Sequence, residues 1–193
     1  MILASSTILW DVTRSSAFIA FALYTVSVVW GISITARSFR PPVAPQFDYH
    51  RFVAMLGFLA VCTHVASLLA DRYAHVHLGT LVLQGTKGGQ WQVMLGVIAT
   101  WLLIALPLTF HLKARKLLTQ RFWRLFHYVG YLVWALALVH GIAVGTDTGS
   151  QWALGLYGGA ASLVAAVAWW RFVEAPPRRQ HSRRAARGRA AQS

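Results

Sequence analysis

Acidic residues are scarce in this chain. Its 193 residues include five Asp or Glu against 18 Lys or Arg, a formal net charge of +13. Charge of either sign is sparse, at 12% of residues, roughly half the share in an average soluble domain. That argues against a soluble domain. Cysteine occurs once, as Cys62, which excludes an intrachain disulfide and any CxxC or CxxCH motif. No GxGxxG run is present, so no phosphate-cradling loop marks a flavin or nicotinamide site. A basic segment ahead of the first apolar run is missing too, and Asp11 and Arg14 interrupt that run early. A cleavable signal peptide is therefore not expected.

What remains is apolar: 56% of residues are hydrophobic, with 9 Trp, and the mean hydropathy is +0.51. Five apolar stretches stand out, at residues 15–35, 51–70, 91–111, 122–144 and 152–173. Each is about 20 residues, the length that crosses about 30 Å of hydrocarbon at about 1.5 Å per residue. The expected fold is an all-α membrane bundle of five spans, or six if an extra short segment inserts. Residues 1–14 form a short segment ahead of it and residues 174–193 an Arg-rich tail that reads as disordered. Pro41 and Pro42 end the first span, because proline cannot continue a helix. A Gly-containing loop covers residues 71–90, and Gly145 to Ser150 reads as a turn.

The positive charge is uneven. Six arginines lie between Pro176 and Ser193, and without them the net charge is about +7. The other basic residues gather after span one (Arg37, Arg40, Arg51) and after span three (Lys113, Arg115, Lys116, Arg121, Arg124). The alternate ends hold Arg14, Arg72 and Lys87, offset by Asp11, Asp71 and Asp147. The positive-inside rule then places the N-terminus outside and the C-terminus in the cytoplasm. A positive membrane face explains the basicity better than nucleic-acid binding does.

Four histidines lie in these apolar stretches: His50 and His64, 14 residues apart, then His127 and His140, 13 apart. An ionisable residue inside a membrane segment is costly and marks function by default. Spans two and four run parallel, so depth pairs His50 with His127 near the cytoplasm and His64 with His140 near the outside. The levels are about 20 Å apart. Neutral imidazole is a good axial ligand for heme iron, and two per iron leave no open position, which suits electron transfer. Two b-type hemes stacked across the bilayer are the expectation, and the absence of CxxCH argues against covalent attachment. The plainer alternative is four polar residues bonded to neighbours or headgroups.

Face geometry supports the first helix and not the second. A spacing of 14 returns within about 40° of the same face, whereas 13 leaves about 140°. A distortion near Gly130 is expected to absorb the difference. Arg51 adjoins His50 and Arg124 lies one turn before His127. Each is a candidate for binding heme propionates bidentately, or for anchoring a helix end in headgroups. On the outer side Arg72 is the comparable cation. His111 is a candidate to approach the inner heme or a quinone, with an interfacial histidine the plainer reading. Asp71, His75 and His77 either form a metal-ion contact or an ordinary polar loop. Cys62 reads as a small core residue, and His181 carries no signal.

The two histidine pairs resemble the ferric reductase-like transmembrane domain family. The most specific match runs from Trp123 through Arg124, His127 and Tyr131 to His140 and Gly141. The stretch from Asp11 to Ser16 and the Gly145-Thr146-Asp147 turn look like short bacterial members. The family includes ferric reductases, the membrane part of NADPH oxidases and the heme-binding subunit of a methionine sulfoxide reductase system. The resemblance implies heme ligand roles for His50, His64, His127 and His140, and electron flow from inside to outside. The chain departs from larger members in lacking a flavin and nicotinamide domain, and in showing five spans where six are common.

The function expected is thus transmembrane electron transfer by an oxidoreductase component. It would need a separate donor, a flavoprotein reductase or a quinol, and an external acceptor such as ferric iron. Two alternatives are a heme subunit serving a periplasmic oxidoreductase, and a non-redox scaffold or sensor whose basic tail binds acidic partners or anionic lipid.

Overall fold

The computed structural model describes residues 2–36, 44–71, 76, 78–81 and 91–173. Among the described residues seven helices follow one another: α1 Ile2–Thr35, α2 Ala44–Ala70, α3 Leu78–Leu81, α4 Trp91–Ala114, α5 Gln120–His127, α6 Val129–Val144 and α7 Gln151–Val173. No strand occurs among the described residues. Among the described residues five stretches are long and apolar enough to cross a membrane, with α5 and α6 counted as one, and by that length and composition the chain is a helical multi-pass membrane protein.

The helices overrun the expected spans because polar residues at a span's end still take helical backbone. α1 begins at Ile2 and carries Asp11 and Arg14 inside it. α2 begins at Ala44, which puts His50 in its second turn. Pro45 near that start has no N–H to leave unpaired. Arg37, Arg40, Pro41, Pro42, Arg72, His75, His77, Lys87 and residues 174–193 lie outside the described residues.

α1 is the hub. It packs along α2 and also meets α6 and α7, while α4 packs along α6 and meets α5. Among the described residues α2 has only sparse backbone approach to α4, α5 and α6. The four histidines sit on α2, α5 and α6. One core joins α1, α6 and α7 through Phe21, Trp134, Ala153 and Tyr157, with Phe21 edge-on to Tyr157 at 5.3 Å. A second, in the middle of the bundle, gathers Ala99, Leu103 and Val133 with Tyr24, Phe58 and Val61.

Lipid is as apolar as leucine, so burying apolar surface drives little association here; close packing and interhelical hydrogen bonds do more. Thr13 Oγ1 donates to Ser67 Oγ at 2.7 Å, tying α1 to α2. Trp134 Nε1 donates to Thr25 Oγ1 at 3.0 Å, tying α6 to α1. The exception is Tyr24, whose buried hydroxyl has no hydrogen-bond partner among the described residues. Its ring lies against Gly57, where an added Cβ would meet Tyr24 Cε2 at 3.3 Å. An unsatisfied buried hydroxyl is a cost, so Tyr24→Phe is expected to leave stability unchanged or raise it by up to about 1 kcal/mol. Thermal unfolding in detergent measures this. A midpoint several degrees lower would mean that the hydroxyl has a partner.

The fourth span is broken. α5 ends at His127 and α6 starts at Val129, with Tyr128 between them. Tyr128 N donates to Leu125 O at 3.2 Å and Tyr131 N to Tyr128 O at 3.0 Å, both three-residue bonds. Such bonding winds the chain faster than about 100° per residue. It carries the 13-residue spacing of His127 and His140 toward the next full turn. The distortion expected near Gly130 falls two residues earlier, at Tyr128.

Candidate functional site: two histidine levels

α2 is one uninterrupted helix. His50 and His64 therefore lie about 21 Å apart along it and within about 40° of one face. His50 comes close to His127 at the end of the bundle that carries Lys113, Arg115, Arg121 and Arg124, the basic end. The two ring centroids are 6.0 Å apart with the planes at 72°. At the opposite end His64 and His140 line one cavity, together with Tyr24, Val61, Leu103 and Val133. His50 thus neighbours His127, and His64 shares a cavity with His140.

Three of the four rings are held the same way. His50 Nδ1 lies 3.1 Å from Ser27 O and 3.3 Å from Ser27 Oγ. His64 Nδ1 lies 2.9 Å from Thr13 O. His140 Nδ1 lies 2.8 Å from Gln92 O. A carbonyl only accepts, so each Nδ1 carries the proton and Nε2 keeps its lone pair. This is how histidines are oriented when the other nitrogen serves as a ligand.

Each acceptor is a helix carbonyl already bonded within its own helix. Such a carbonyl points toward residue i+4, so a foreign ring reaches its second lone pair only where that residue is small. The residue four after Ser27 is Gly31, four after Gln92 is Gly96, and four after Thr13 is Ala17. The fit is tight at two of these. A Cβ on Gly31 would meet His50 Cε1 at 3.3 Å, and one on Gly96 would meet three His140 ring atoms at 2.7–2.9 Å. His127 is placed differently, stacked on Trp123 one turn earlier with centroids 5.3 Å apart and planes at 26°.

The two arginines lie at the basic end. Arg51 is exposed, 4.0 Å from Asp48 and with its guanidinium 5.2 Å from the Phe110 ring centre. Arg124 is exposed on α5, one turn before His127. Lys113 Nζ lies 4.1 Å from the centre of the Trp123 ring. His111 is exposed beside Phe110 at this end. Asp71 is buried at the end of α2, while His75 and His77 fall outside the described residues. Cys62 is exposed and not part of the core. Two residues separate it from His64, a turn of about 200° that points it away from the histidine face.

Sequence reasoning missed Ser27, Gln92, Gly31 and Gly96, and it gave Thr13 and Trp123 a place in the family match but no part in holding the rings. The glycines were the available signal, since an isolated glycine inside a helical run marks a close approach. The carbonyls had none. Among the described residues no group of three or more His, Cys, Asp or Glu gathers to chelate a metal ion. The titratable groups that come together here are imidazoles in pairs, His50 near His127 and His64 in one cavity with His140. The fold and this site define a class, a multi-pass helical bundle with two histidine levels. No protein-family model matches the chain, and no curated protein or solved structure matches it.

Proposed function

We propose that this chain is a transmembrane electron conduit of the di-heme cytochrome b type, similar to ferric reductase-like membrane domains. His50 and His127 would be the axial pair at one level, and His64 and His140 the pair at the other. The observation that carries this reading is the gathering of four imidazoles in two pairs, three of them with Nδ1–H tied to backbone and His50 centred 6.0 Å from His127. Metal–imidazole bonds of about 2.0–2.1 Å put the centroids of two imidazoles sharing one metal roughly 6 Å apart. A cavity lined by Val61, Val97 and Leu103 gives apolar walls at the His64–His140 level.

Heme bound at each level would supply a one-electron carrier. The chain's own residues orient the four imidazoles, exclude water with aliphatic and aromatic walls, and set the separation of the levels. Arg51 and Arg124 are the cations available to propionates at the basic end. That end is the cytoplasmic one by the positive-inside rule, with the N-terminus outside. The donor is then a separate cytoplasmic flavoprotein or a membrane quinol. The acceptor lies outside, with ferric iron a candidate.

The purified chain is expected to show a b-type α-band on reduction and to yield about two hemes per chain on extraction. A reduced spectrum without that band, with heme far below two per chain, would falsify the reading.

A further inference from the structure

Arg14 on α1 and Asp147 in the α6–α7 turn are 133 residues apart in sequence and form a two-point ion pair. Arg14 Nε donates to Asp147 Oδ2 at 2.8 Å and Nη2 to Oδ1 at 2.5 Å. The Asp147 side chain is 19% exposed and that of Arg14 38%. A second acid, Asp11, approaches Arg14 Nη1 only to 3.9 Å. Paired forks of this kind fix geometry as well as charge.

What flanks the pair gives it a role. The residue before Arg14 is Thr13, whose carbonyl accepts from His64 Nδ1 at 2.9 Å and whose hydroxyl donates to Ser67 at 2.7 Å. On the other side Asp147 sits in a braced turn. Its carbonyl accepts from Ser150 N at 2.8 Å and from Ser150 Oγ at 2.6 Å. Gly145, two residues earlier, closes α6 by donating its N–H to Gly141 O at 2.9 Å. His140 lies one residue before Gly141. Short bonds therefore lead from His64 to Thr13 and from Arg14 to Asp147, and two residues of turn backbone join Asp147 to Gly145, which closes the helix that carries His140.

We infer that Arg14 and Asp147 are positioning residues for the His64–His140 level, a clasp that sets how far apart these imidazoles stand. The inference rests on the di-heme reading above. A staple that merely holds α1 to the turn would affect stability without singling out one level. The clasp acts on His64 and His140 and leaves His50 and His127 unaffected, because Ser27 and Trp123 hold those two.

The test uses the full chain in detergent or nanodiscs, with Arg14→Gln, Asp147→Asn, Arg14→Lys and the Gln/Asn double variant. Low-spin heme EPR signals are assigned to the two levels with His64→Ala, and hemin retention is titrated. The Gln and Asn variants are expected to shift the His64–His140 signal and weaken hemin retention there about tenfold, the low end for outer-shell partners. The other level stays unchanged. The double variant is expected to be no worse than the weaker single, since both remove one interaction. Arg14→Lys, which keeps the charge and loses the fork, falls in between. In a wild-type protein with two hemes, an unmoved signal at this level, or equal loss at both levels, overturns the clasp alone. A wild-type chain without heme overturns the di-heme reading and the clasp with it.

Discussion

His64→Ala is expected to lower heme content from about two per chain to about one and to abolish reduction of an external acceptor. The remaining heme, at the His50–His127 level, should still be reduced by a donor. The levels are independent because about 21 Å of helix separates His50 from His64. Between them lies a layer of side chains, Tyr24, Phe58, Val61, Leu103 and Val133, packed from four helices. Losing one imidazole does not unpack that layer. α2 also keeps its seat on α1 through bonds such as Trp30 Nε1 to Gln46 O at 3.2 Å. His140→Ala should reproduce the result, and His127→Ala should give its mirror image, sparing the other level. Heme extraction with paired EPR measures all three. Equal loss of both hemes from His64→Ala would mean that the levels are not separate sites.

Gly96→Ala should be nearly as damaging at the same level, although it touches no proposed ligand chemically. The added methyl would lie 2.7–2.9 Å from three atoms of the His140 ring. No flexible tip is there to give way: the ring is pinned by its 2.8 Å bond to Gln92 O on the same face of α4. The imidazole must swing out, lose that bond and misdirect Nε2. Disturbing an outer-shell partner of a metal-bound histidine costs about 10–100-fold in affinity, and hemin retention at this level should fall by that much. Gly31→Ala is the internal control. Its Cβ would approach His50 no closer than 3.3 Å, which a few tenths of an ångström of movement relieves, so occupancy at the His50–His127 level should change about twofold or less. If both alanines behave alike, the small residue beside each acceptor carbonyl does not govern ring placement.

Much of the architecture was legible because membrane spans are long and apolar and little else in this chain is. The five spans appear where hydropathy placed them, with ends longer by up to a few turns. The 14-residue spacing on α2 translated directly into two levels on one face, since nothing interrupts that helix. The 13-residue spacing did not, and the conflict itself marked the place where the helix breaks. The break lies at Tyr128, two residues before the expected Gly130, because it is made by backbone bonding that no residue type demands. Cys62 was misread as core because residues facing lipid and residues facing the bundle are equally apolar.

By itself, then, the sequence determined which five stretches are long and apolar enough to cross a membrane, which of them carry imidazoles, and at what spacing. Those properties depend on length, hydropathy and a count of residues along a helix. Only the tertiary structure decided which atoms hold the rings. Three of the four are held by the backbone carbonyls of Ser27, Thr13 and Gln92. Every residue has such a carbonyl, so no letter in the sequence distinguishes the ones that accept. The same holds for the clasp: Arg14 and Asp147 meet across 133 residues only because α1 and the α6–α7 turn come together.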